Sequence, residues 1–533
     1  MKNKANKIMV ITVTDVRNIP KQQWTKPLTE NCKELVWIDL KKIYLEHGKE
    51  KTQKILLKKV EQEKPEFLFM YDSLFYDINL LSLMDGIKQV SKKTRTVLFS
   101  GDDDLTFDYT RYLALFFDYI LLGLIDYVKI YEEHGLNNAY YITPADYKEI
   151  PQQAKKYDVT FMGADKADRR EVLDYLHKSG VNITLFGYPT WKKYPGLRDI
   201  YKGMLPSEEY LKTISQSKIN LCFSKNMLGV PHLTGRFLEN SVLKSFSLIE
   251  YSPQVAELLK EGKEIVMFKT KEEALKKIKY YLEHENEREN IAKAAYKKVT
   301  VDFDFRKNLK KFIQKALKQK PKSNVPKEDS SLIYLNEKLM KEPKEQLFKK
   351  IKNFEYIAFS KGKVIKSRFK DRLQVYSIKE NKKQISCCDY TIYSKQLGDY
   401  ARFRFVPFGK VPNREYAPYL SINQIVMTKK FFIENFAQIK NAYKKEMINF
   451  VNQKNTAFVS IPLVRISKFR SKFFKQKELT EQLGLFLFSF HRELYARRKN
   501  PIRFMQYVFS LLKEIIMGKR FIIKQIKYRI PKS

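Results

Sequence analysis

The feature that most constrains the fold is an alternation of short apolar runs with helical patterns, which occurs twice along the chain. In the first block, from residue 1 to about 150, the apolar runs are Ile8–Val13, Leu35–Ile38, Phe67–Tyr71, Thr96–Ser100 and Tyr119–Leu122. Continuous apolar strands that are separated by helices are typical of a parallel sheet covered on both faces. Residues 1–150 are therefore predicted to form one doubly wound α/β domain.

The same alternation restarts at about residue 157. Its predicted strands are Val159–Met162, Ile183–Phe186, Ile219–Cys222, Phe246–Ile249 and Ile265–Phe268, with helices at Arg169–Ser179, Ser207–Ser215, from near Thr234, and at Lys271–His284. We assign residues 151–318 to this second α/β domain. Two such sheets in series leave a cleft between them, and a ligand there would lie across the carboxyl ends of the strands.

The composition changes after the second domain. Residues 319–330 carry two prolines and dense charge, which indicates a linker. Residues 331–500 contain strand-like runs such as Tyr356–Phe359 and Phe458–Ile461 without clear βα alternation, and we predict a mixed α+β accessory domain. Residues 501–533 hold eight basic residues against one acid, beside an apolar helical stripe. Such a tail suits either an anionic membrane surface or a helix docked on its own domain.

The charge of the chain is unusual for its length. Its 533 residues include 101 Lys and Arg against 60 Asp and Glu, a formal charge of +41. This balance suits anionic partners such as nucleic acid, anionic lipid or a phosphorylated substrate, although a general bias toward lysine explains part of it. The four cysteines show no metal-ligand spacing, and the apolar run at the N-terminus is too short for a signal peptide. We expect a cytoplasmic protein.

The most informative motif is the predicted helix start that carries Thr234, Arg236 and Glu239. A helix N-terminus beyond the carboxyl end of a strand is an anion-binding position. Arg236 would add a planar donor fork that suits phosphate, and Glu239, on the same helix face, could accept hydrogen bonds from a ribose diol. This combination suits a nucleotide-diphosphate sugar. The alternative is a surface Arg–Glu pair, although a base that precedes its acid is the less favourable order on a helix.

Four further positions border the same predicted edge. Gly163 follows a strand and Arg169 opens the next helix, while Gly187 follows the neighbouring strand. Glycine at such positions allows the backbone to approach a ligand closely, but it also commonly ends strands. His232 lies in the loop before Arg236 and could donate to a phosphate or serve as an ordinary loop residue.

Acidic residues follow the strands of the first block. Asp15 and Asp72 each come after a predicted strand, and Asp102, Asp103 and Asp104 follow Thr96–Ser100. A carboxylate there could take a proton from an acceptor hydroxyl, hold a divalent metal or cap the next helix. The sequence does not choose among these roles. It contains neither G-x-G-x-x-G nor a P-loop signature, which argues against dinucleotide oxidoreductases and P-loop hydrolases.

Several of these strings resemble one family. DVTFMGADKADRREVLDYL, GRFLENSVLKSFSLIEY and EGKEIVMFKTKEEALKKIKYYLEHENERENIA, together with FSGDDDLTFDYTRY in the first block, are similar to the CgeB-like (spore-maturation) family, which is related to GT-B glycosyltransferases. The resemblance covers about residues 1–315. It implies two Rossmann-like domains, a nucleotide-sugar donor held mainly by the second, an acceptor facing the first, and no obligatory metal or other cofactor.

On that resemblance, Arg236 would meet the donor diphosphate and Glu239 the ribose or sugar. Lys244 is a departure, because relatives often have glycine before the second strand, and a larger residue there would narrow the pocket or bring a charge to it. The third region is faintly similar to GT-A (family-2-like) glycosyltransferases. Where those have an aspartate-rich metal motif, this chain has Ser360, Lys361, Gly362 and Lys363, so a non-catalytic remnant is expected.

The predicted function is transfer of a sugar from a nucleotide donor to a glycan, lipid-linked or protein acceptor, in cell-surface polysaccharide or glycoconjugate synthesis. Asp15, Asp102 and Asp103 are the candidates for the catalytic carboxylate. Gly163, Arg169, Gly187, His232, Thr234, Arg236 and Glu239 are the candidates for donor binding. The alternatives are an inactive GT-B scaffold in a glycan pathway and a basic nucleic-acid-binding protein, although no nucleic-acid-binding motif supports the latter.

Overall fold

The structure is a computed structural model that describes residues 4–12, 19–71, 80–101, 103–142, 148–165, 167–225, 231–320, 324–361, 365–394, 398–403, 422–445, 450–451 and 455–466. The chain divides into two compact units. Unit 1 comprises Met1–Ile43, Lys49–Phe107 and Phe117–Ser323, and unit 2 comprises Tyr44–Gly48, Asp108–Phe116 and Asn324–Ser533.

Unit 1 contains a first sheet of six parallel strands in the order β2-β1-β3-β4-β5-β6. Its strands are β1 (Ala5–Thr12), β2 (Cys32–Asp39), β3 (Phe67–Tyr71), β4 (Arg95–Ser100), β5 (Tyr119–Leu122) and β6 (Ala139–Tyr141). The helices between them are α1 (Ile19–Glu30), α2 (Leu40–Glu63), α3 (Leu80–Val90), α4 (Asp103–Ala114) and α5 (Tyr127–Glu133). The strands are buried on both faces, as their continuous apolar sequences require.

The second sheet of unit 1 has five parallel strands in the order β11-β10-β9-β7-β8. They are β7 (Tyr157–Met162), β8 (Ile183–Phe186), β9 (Ser217–Cys222), β10 (Ser247–Glu250) and β11 (Val266–Phe268). The helices are α6 (Ala167–Lys178), α7 (Pro195–Arg198), α8 (Ser207–Gln216), α9 (Gly235–Val242), α10 (Pro253–Leu258), α11 (Lys271–Glu283) and α12 (Glu285–Asp302). The chain adds β8 on one side of β7 and then β9 on its other side, so the direction in which strands are added reverses between β7 and β9. In sheets of this kind, ligands bind at the carboxyl ends of the two strands where the direction reverses.

The helix α13 (Phe305–Leu317) follows α12 after two residues but packs on a different sheet. Ala295, Val299 and Phe303 at the end of α12 join a core cluster with residues of β9, α9, β10 and β11. The buried face of α13 joins the core cluster of β1, β3 and β4 instead, through Phe305, Leu309, Phe312, Ile313 and Ala316. The chain therefore returns from the second sheet to the first at Phe303–Asp304.

Unit 2 contains a mixed sheet in the order β12-β13-β17-β15-β18-β14, with β16 paired to β15. Its strands are β12 (Leu332–Asn336), β13 (Tyr356–Ser360), β14 (Ile365–Lys366), β15 (Ile385–Ser394), β16 (Gly398–Phe403), β17 (Ile425–Thr428) and β18 (Thr456–Ile466), and its helices are α14 (Glu337–Lys341), α15 (Lys344–Lys350), α16 (Lys370–Asn381), α17 (Lys429–Glu434) and α18 (Phe436–Lys445). Parallel and antiparallel pairs occur together.

The predicted α/β fold class is confirmed: two doubly wound, Rossmann-like sheets precede a mixed α+β region. The predicted strands and the helix from near Thr234 all occur, with ends that differ by a few residues. In unit 1, the sequence patterns did not predict β6, an edge strand of three residues. The tail at 501–533 lies outside the described residues. Among the residues described, no helix is long and apolar enough to cross a membrane.

Candidate active site

Two helix starts meet at the position where the order of the second sheet reverses. β7 ends at Met162 and leads through Gly163 to α6, while β9 ends at Cys222 and leads to α9. Because β7 and β9 are parallel neighbours, their carboxyl ends lie at the same edge of the sheet. The structure therefore brings the predicted residues Gly163, Arg169, Thr234 and Arg236 to one edge.

The two glycines hold neighbouring loops together. Gly187 has φ +148°, and a Cβ on it would lie 2.1 Å from the carbonyl oxygen of Gly163. The Gly187 amide donates to the carbonyl of Gly203 at 2.9 Å, and the Trp191 indole N–H donates to the Gly163 carbonyl at 2.9 Å. A side chain at either position would come too close to neighbouring atoms of the protein itself, so local packing explains both glycines. Contact of either glycine with a ligand stays a prediction.

Arg169 lies partly buried under this edge. Its guanidinium carbon is 5.8 Å from the ring centres of both Phe161 and Phe223, and its two terminal nitrogens reach the carbonyls of Ala164 and Lys225 only at 3.4 and 3.5 Å. Burial lowers the pKa of Arg169, the carboxylates of Asp168 and Glu250 raise it, and the positive charge of Arg236 lowers it further. Two guanidinium groups therefore repel each other at this edge.

The start of α9 has an unused hydroxyl. Thr234 is the N-cap residue, yet its side chain makes no capping hydrogen bond. Its Oγ1 is buried and has no hydrogen-bond partner among the described residues. A buried polar atom without a partner costs stability unless a bound group satisfies it. The Thr234 hydroxyl is thus available to a ligand at the helix N-terminus.

Arg236 and Glu239 face each other across one turn of α9. Arg236 Nη1 lies 3.8 Å from Glu239 Oε2, so the ion pair that the order on the helix disfavours does form, without a hydrogen-bond distance. The Tyr210 hydroxyl donates to Glu239 Oε2 at 2.5 Å, and Arg236 sits over the Tyr210 ring at 4.7 Å. Burial raises the pKa of Glu239, and Arg236 opposes that shift.

The end of β10 contributes a second carboxylate, which was not among the predicted site residues. Lys225 pairs with the buried Glu250 at the end of β10, and its backbone amide donates to Glu250 Oε2 at 3.3 Å. The His232 amide donates to the Ser224 carbonyl at 3.1 Å, which places His232 between this loop and Thr234. The signal for Glu250 was its position as the last residue of a buried strand.

Lys244, the departure from the family pattern, lies at the other end of α9. It has φ +51°, its side chain is exposed, and its amine sits 4.5 Å from the ring centre of Tyr296. The expectation that Lys244 narrows the pocket or brings a charge to it is wrong. A glycine suits this position because the helix ends there in the left-handed conformation.

Of the first-block carboxylates, Asp15, Asp72 and Asp102 lie outside the described residues. Asp103 opens α4 and is buried, and its Oδ1 accepts a hydrogen bond from the Tyr131 hydroxyl at 2.8 Å. Asp126, in the turn after β5, was missed as a candidate. Burial raises the pKa of Asp126 to about 6, and the charge of Glu257 in α10 adds to the shift.

Asp126 and Glu257 interact although they follow strands of different sheets, which places both where the two α/β domains approach each other. The signal for Asp126 was the same one that selected Asp15 and Asp72: an aspartate just beyond the carboxyl end of a strand. Across the described ranges, no group of three or more His, Cys, Asp or Glu side chains could hold a metal ion. Metal independence stays a prediction.

The comparisons with known proteins bear on the second domain. Residues 169–314 match a family model described as "Glycosyl transferase-like". The resemblance to glycosyltransferases is confirmed at that level for this segment, and the narrower CgeB-like assignment stays a prediction. No curated protein matches the chain.

Solved structures align with the chain at low similarity. HepE of Anabaena, solved with UDP and glucose, aligns with a TM-score of 0.44 and 9% identity over 59% of this chain and 99% of that chain. Sucrose-phosphate synthase of Thermosynechococcus elongatus aligns with a TM-score of 0.43 and 9% identity over 59% of this chain and 98% of that chain. The pneumococcal O-GlcNAc transferase GtfA, solved with UDP and GlcNAc, aligns with a TM-score of 0.37 and 10% identity over 51% of this chain and 60% of that chain.

Proposed function

We propose that the protein is a glycosyltransferase that transfers a sugar from a nucleotide-diphosphate donor. The observation that supports this most directly is the anion site at the start of α9. There the buried hydroxyl of Thr234, which has no hydrogen-bond partner within the described ranges, lies beside Arg236, and the charge of Arg236 acts on Arg169. Arg169 and the start of α9 fall within the segment that matches the glycosyl transferase-like family.

The donor diphosphate would satisfy each of these groups. Its oxygens would accept a hydrogen bond from the Thr234 hydroxyl at the start of α9, where the helix dipole favours negative charge. The negative charge of the diphosphate would offset the repulsion between Arg236 and Arg169. As the sugar leaves, negative charge accumulates on the diphosphate, and donors already fixed in place stabilise that charge without reorganisation.

The rest of the donor would extend along the same edge. Glu239 has one oxygen held by Tyr210, which orients the carboxylate to accept from a ribose or sugar hydroxyl. Tyr188 and Met204 follow the hydrogen-bonded pair Gly187 and Gly203, and both are exposed apolar side chains. Exposed apolar surface beside a polar cradle suits the flat face of a nucleobase.

A carboxylate of the first domain would accept the proton of the acceptor hydroxyl. Asp15, Asp102 and Asp103 remain the predicted candidates, and Asp126 joins them because its raised pKa keeps it close to the range in which a carboxylate accepts and releases protons. The acceptor itself is proposed to be a glycan, a lipid-linked intermediate or a protein, in cell-surface polysaccharide or glycoconjugate synthesis. Cytoplasmic location and attachment to an anionic membrane through residues 501–533 are parts of the same proposal.

The third region is proposed to be a non-catalytic remnant of a GT-A domain. Lys361, which follows β13 where a metal-binding aspartate would be expected, is used structurally. Its backbone amide donates to Asn423 Oδ1 at 2.9 Å, and its amine donates to the Tyr443 carbonyl at 2.5 Å. A lysine engaged in this way cannot hold a metal–diphosphate complex.

The test is a thermal-shift panel of nucleoside diphosphates and nucleotide sugars, followed by a turnover assay on the ligands that raise Tm. Arg236→Ala should weaken binding of the active nucleotide about tenfold or more, because a charged hydrogen-bonded partner is lost. Arg198→Ala, whose side chain donates to the Lys192 carbonyl at 3.3 Å, is the matched control and should not change binding. Unchanged nucleotide affinity in Arg236→Ala would contradict the proposal.

Two outcomes would favour the rival functions. Nucleotide binding without turnover, with every acceptor class supplied, would indicate an inactive scaffold. The charge of +41 is the observation behind the nucleic-acid alternative. That alternative predicts affinity for generic DNA or RNA that falls steeply between about 50 and 200 mM salt, because the number of phosphates contacted sets the slope of log affinity against log salt.

A further inference from the structure

A second cation-rich site lies far along the fold from α9, at the edge of the first sheet where strands begin. A cleft of about 420 Å³ is lined there by the basic residues Lys4, Arg306, Lys307 and Lys310 and by one acid, Glu30. Lys4 directly precedes β1, and Glu30 ends α1 just before β2. The three other cations belong to the first two turns of α13. The cleft is therefore built at the amino ends of strands of the first sheet, whereas the candidate donor site lies at the carboxyl ends of strands of the second sheet.

The positive charge in this cleft is only partly balanced. Arg306 Nη1 lies 3.3 Å from Glu30 Oε1, and Lys307 Nζ lies 3.4 Å from Asp304 Oδ2. No described carboxylate pairs with Lys4 or Lys310. Cations that share a cleft repel one another and raise the local concentration of anions. The arrangement would be stabilised by a ligand with more than one negative charge.

Two further features favour an anion over other ligands. The 13-residue helix α13 begins at the cleft, and Asp304 caps it by accepting a hydrogen bond from the Lys307 amide at 2.9 Å. The start of this helix carries the positive end of the helix dipole. Gln314 adds a neutral amide to the lining. The volume falls in the range of small-molecule sites, about 300–1,000 Å³, which excludes neither an inorganic nor an organic phosphate.

We propose that this cleft binds a small polyanion of the diphosphate class, at a site separate from the donor position on the second sheet. The ligand would bridge Lys4 and the start of α13. The chain passes from the second sheet to the first at Phe303–Asp304, and α13 begins directly after these residues. The bound anion would therefore hold the start of α13 against the first domain. This inference does not depend on the proposed glycosyltransferase activity.

The test is isothermal titration of the full chain with inorganic diphosphate, in an Arg236→Ala background that weakens the candidate donor site. One variant adds Lys307→Ala and Lys310→Ala. The charge-matched control adds Lys311→Ala and Lys318→Ala, which are exposed lysines of the same segment outside the cleft. Circular dichroism and Tm would establish that both variants are folded.

The cleft variant should bind diphosphate at least about tenfold more weakly than the control, since two charged contacts are lost. The affinity of the control should fall as salt rises, because the contacts are electrostatic and partly exposed. Equal affinities in the two variants would overturn the proposal. Absence of saturable diphosphate binding in the control would overturn it as well.

Discussion

At the scale of single residues, the candidate site is defined by groups that the folded chain leaves unsatisfied. The Thr234 hydroxyl is buried and has no hydrogen-bond partner in the part of the chain that the structure describes, and Arg169 experiences both burial and the charge of Arg236. Each of these costs stability in the free protein and would be relieved by an anion. Strained or unsatisfied groups that gather at one edge of a sheet are typical of functional sites.

The substitution Thr234→Val distinguishes a ligand-binding role of the Thr234 hydroxyl from a structural role. Valine keeps the shape and removes a hydroxyl that makes no hydrogen bond, so the free energy of unfolding should change by less than about 0.5 kcal/mol or increase. Nucleotide affinity should fall roughly three- to tenfold, measured by titration with the nucleotide that the thermal-shift panel selects.

Thr213→Val is the matched control. The Thr213 hydroxyl donates to the Glu209 carbonyl at 2.7 Å inside α8, so this substitution should lower stability by about 1 kcal/mol and leave nucleotide affinity unchanged. A Thr234→Val protein that binds nucleotide as wild type does would remove the hydroxyl from the proposed cradle.

Asp126 predicts a specific dependence of stability on pH. Its folded pKa of about 6 lies above the unfolded value of about 3.9, so the folded chain binds more protons between these values. The contribution of Asp126 to stability is therefore favourable at low pH and is lost as pH rises through about 6. In Asp126→Asn the side chain does not titrate, so the free energy of unfolding no longer falls for this reason as pH rises.

The free energy of unfolding of Asp126→Asn, relative to wild type, should increase by on the order of 1 kcal/mol between pH 4.5 and 7.5, because solvent screens a half-buried carboxylate and reduces the full effect of the shift. Urea unfolding of both proteins at the two pH values measures it. A difference between the proteins that is the same at both pH values would show that Asp126 titrates normally.

At the scale of secondary-structure elements, several helices end on lysine where glycine is usual. Lys64, Lys244 and Lys382, which follow α2, α9 and α16, have φ of 43°, 51° and 51°. The chain has only 18 glycines in 533 residues, so the left-handed position at a helix end is often filled by a residue that is strained there. This strain belongs to the helix ends and not to the pocket.

Lys244 allows the strain to be measured. Lys244→Ala and Lys244→Gly both remove the contact with the Tyr296 ring, but only glycine relieves the left-handed conformation. The glycine variant should be more stable than the alanine variant by about 1 kcal/mol in chemical denaturation. Equal stabilities would mean that the end of α9 does not adopt this conformation in solution. Neither variant should change nucleotide binding, since Lys244 lies at the opposite end of α9 from Thr234.

At the scale of the whole molecule, the boundaries in sequence and in space differ. Unit 2 includes Asp108–Phe116 as well as the chain from Asn324 onward. Within that unit, the Phe116 and Phe369 rings are 5.0 Å apart, and Arg111 Nη1 lies 3.4 Å from Glu380 Oε1. The segment 108–116 thus has its partners more than two hundred residues later in the chain.

A chain that ends at residue 320 should therefore be less stable than the full protein. Tyr112 and Phe116 are buried, and they would lose the aromatic partners Tyr376 and Phe369. Exposing two large aromatic side chains costs on the order of 3–5 kcal/mol. We expect a lower Tm and increased binding of a hydrophobic dye. A shortened chain with the Tm of the full protein would show that residues 108–116 need no partner from the third region.

Much of unit 1 could be predicted from the sequence because its strands are continuous apolar runs between helices, and this pattern is local. The start of α9 was predictable for the same reason. Tyr210 as the partner of Glu239, the pair Lys225–Glu250 and the interaction of Asp126 with Glu257 were not, because each joins residues from different elements. Asp15 and Asp102 stay predictions.

The sequence by itself determined the two doubly wound sheets, since hydrophobic periodicity selects strand or helix without reference to the rest of the chain. It also determined which residues stand at helix starts beyond strand ends, and hence the candidate anion site at Thr234 and Arg236. Only the tertiary structure decided that α13 returns to the first sheet and that Lys244 faces away from the site. These depend on which apolar faces find each other, and contacts between residues distant in the chain leave no periodic signal in it.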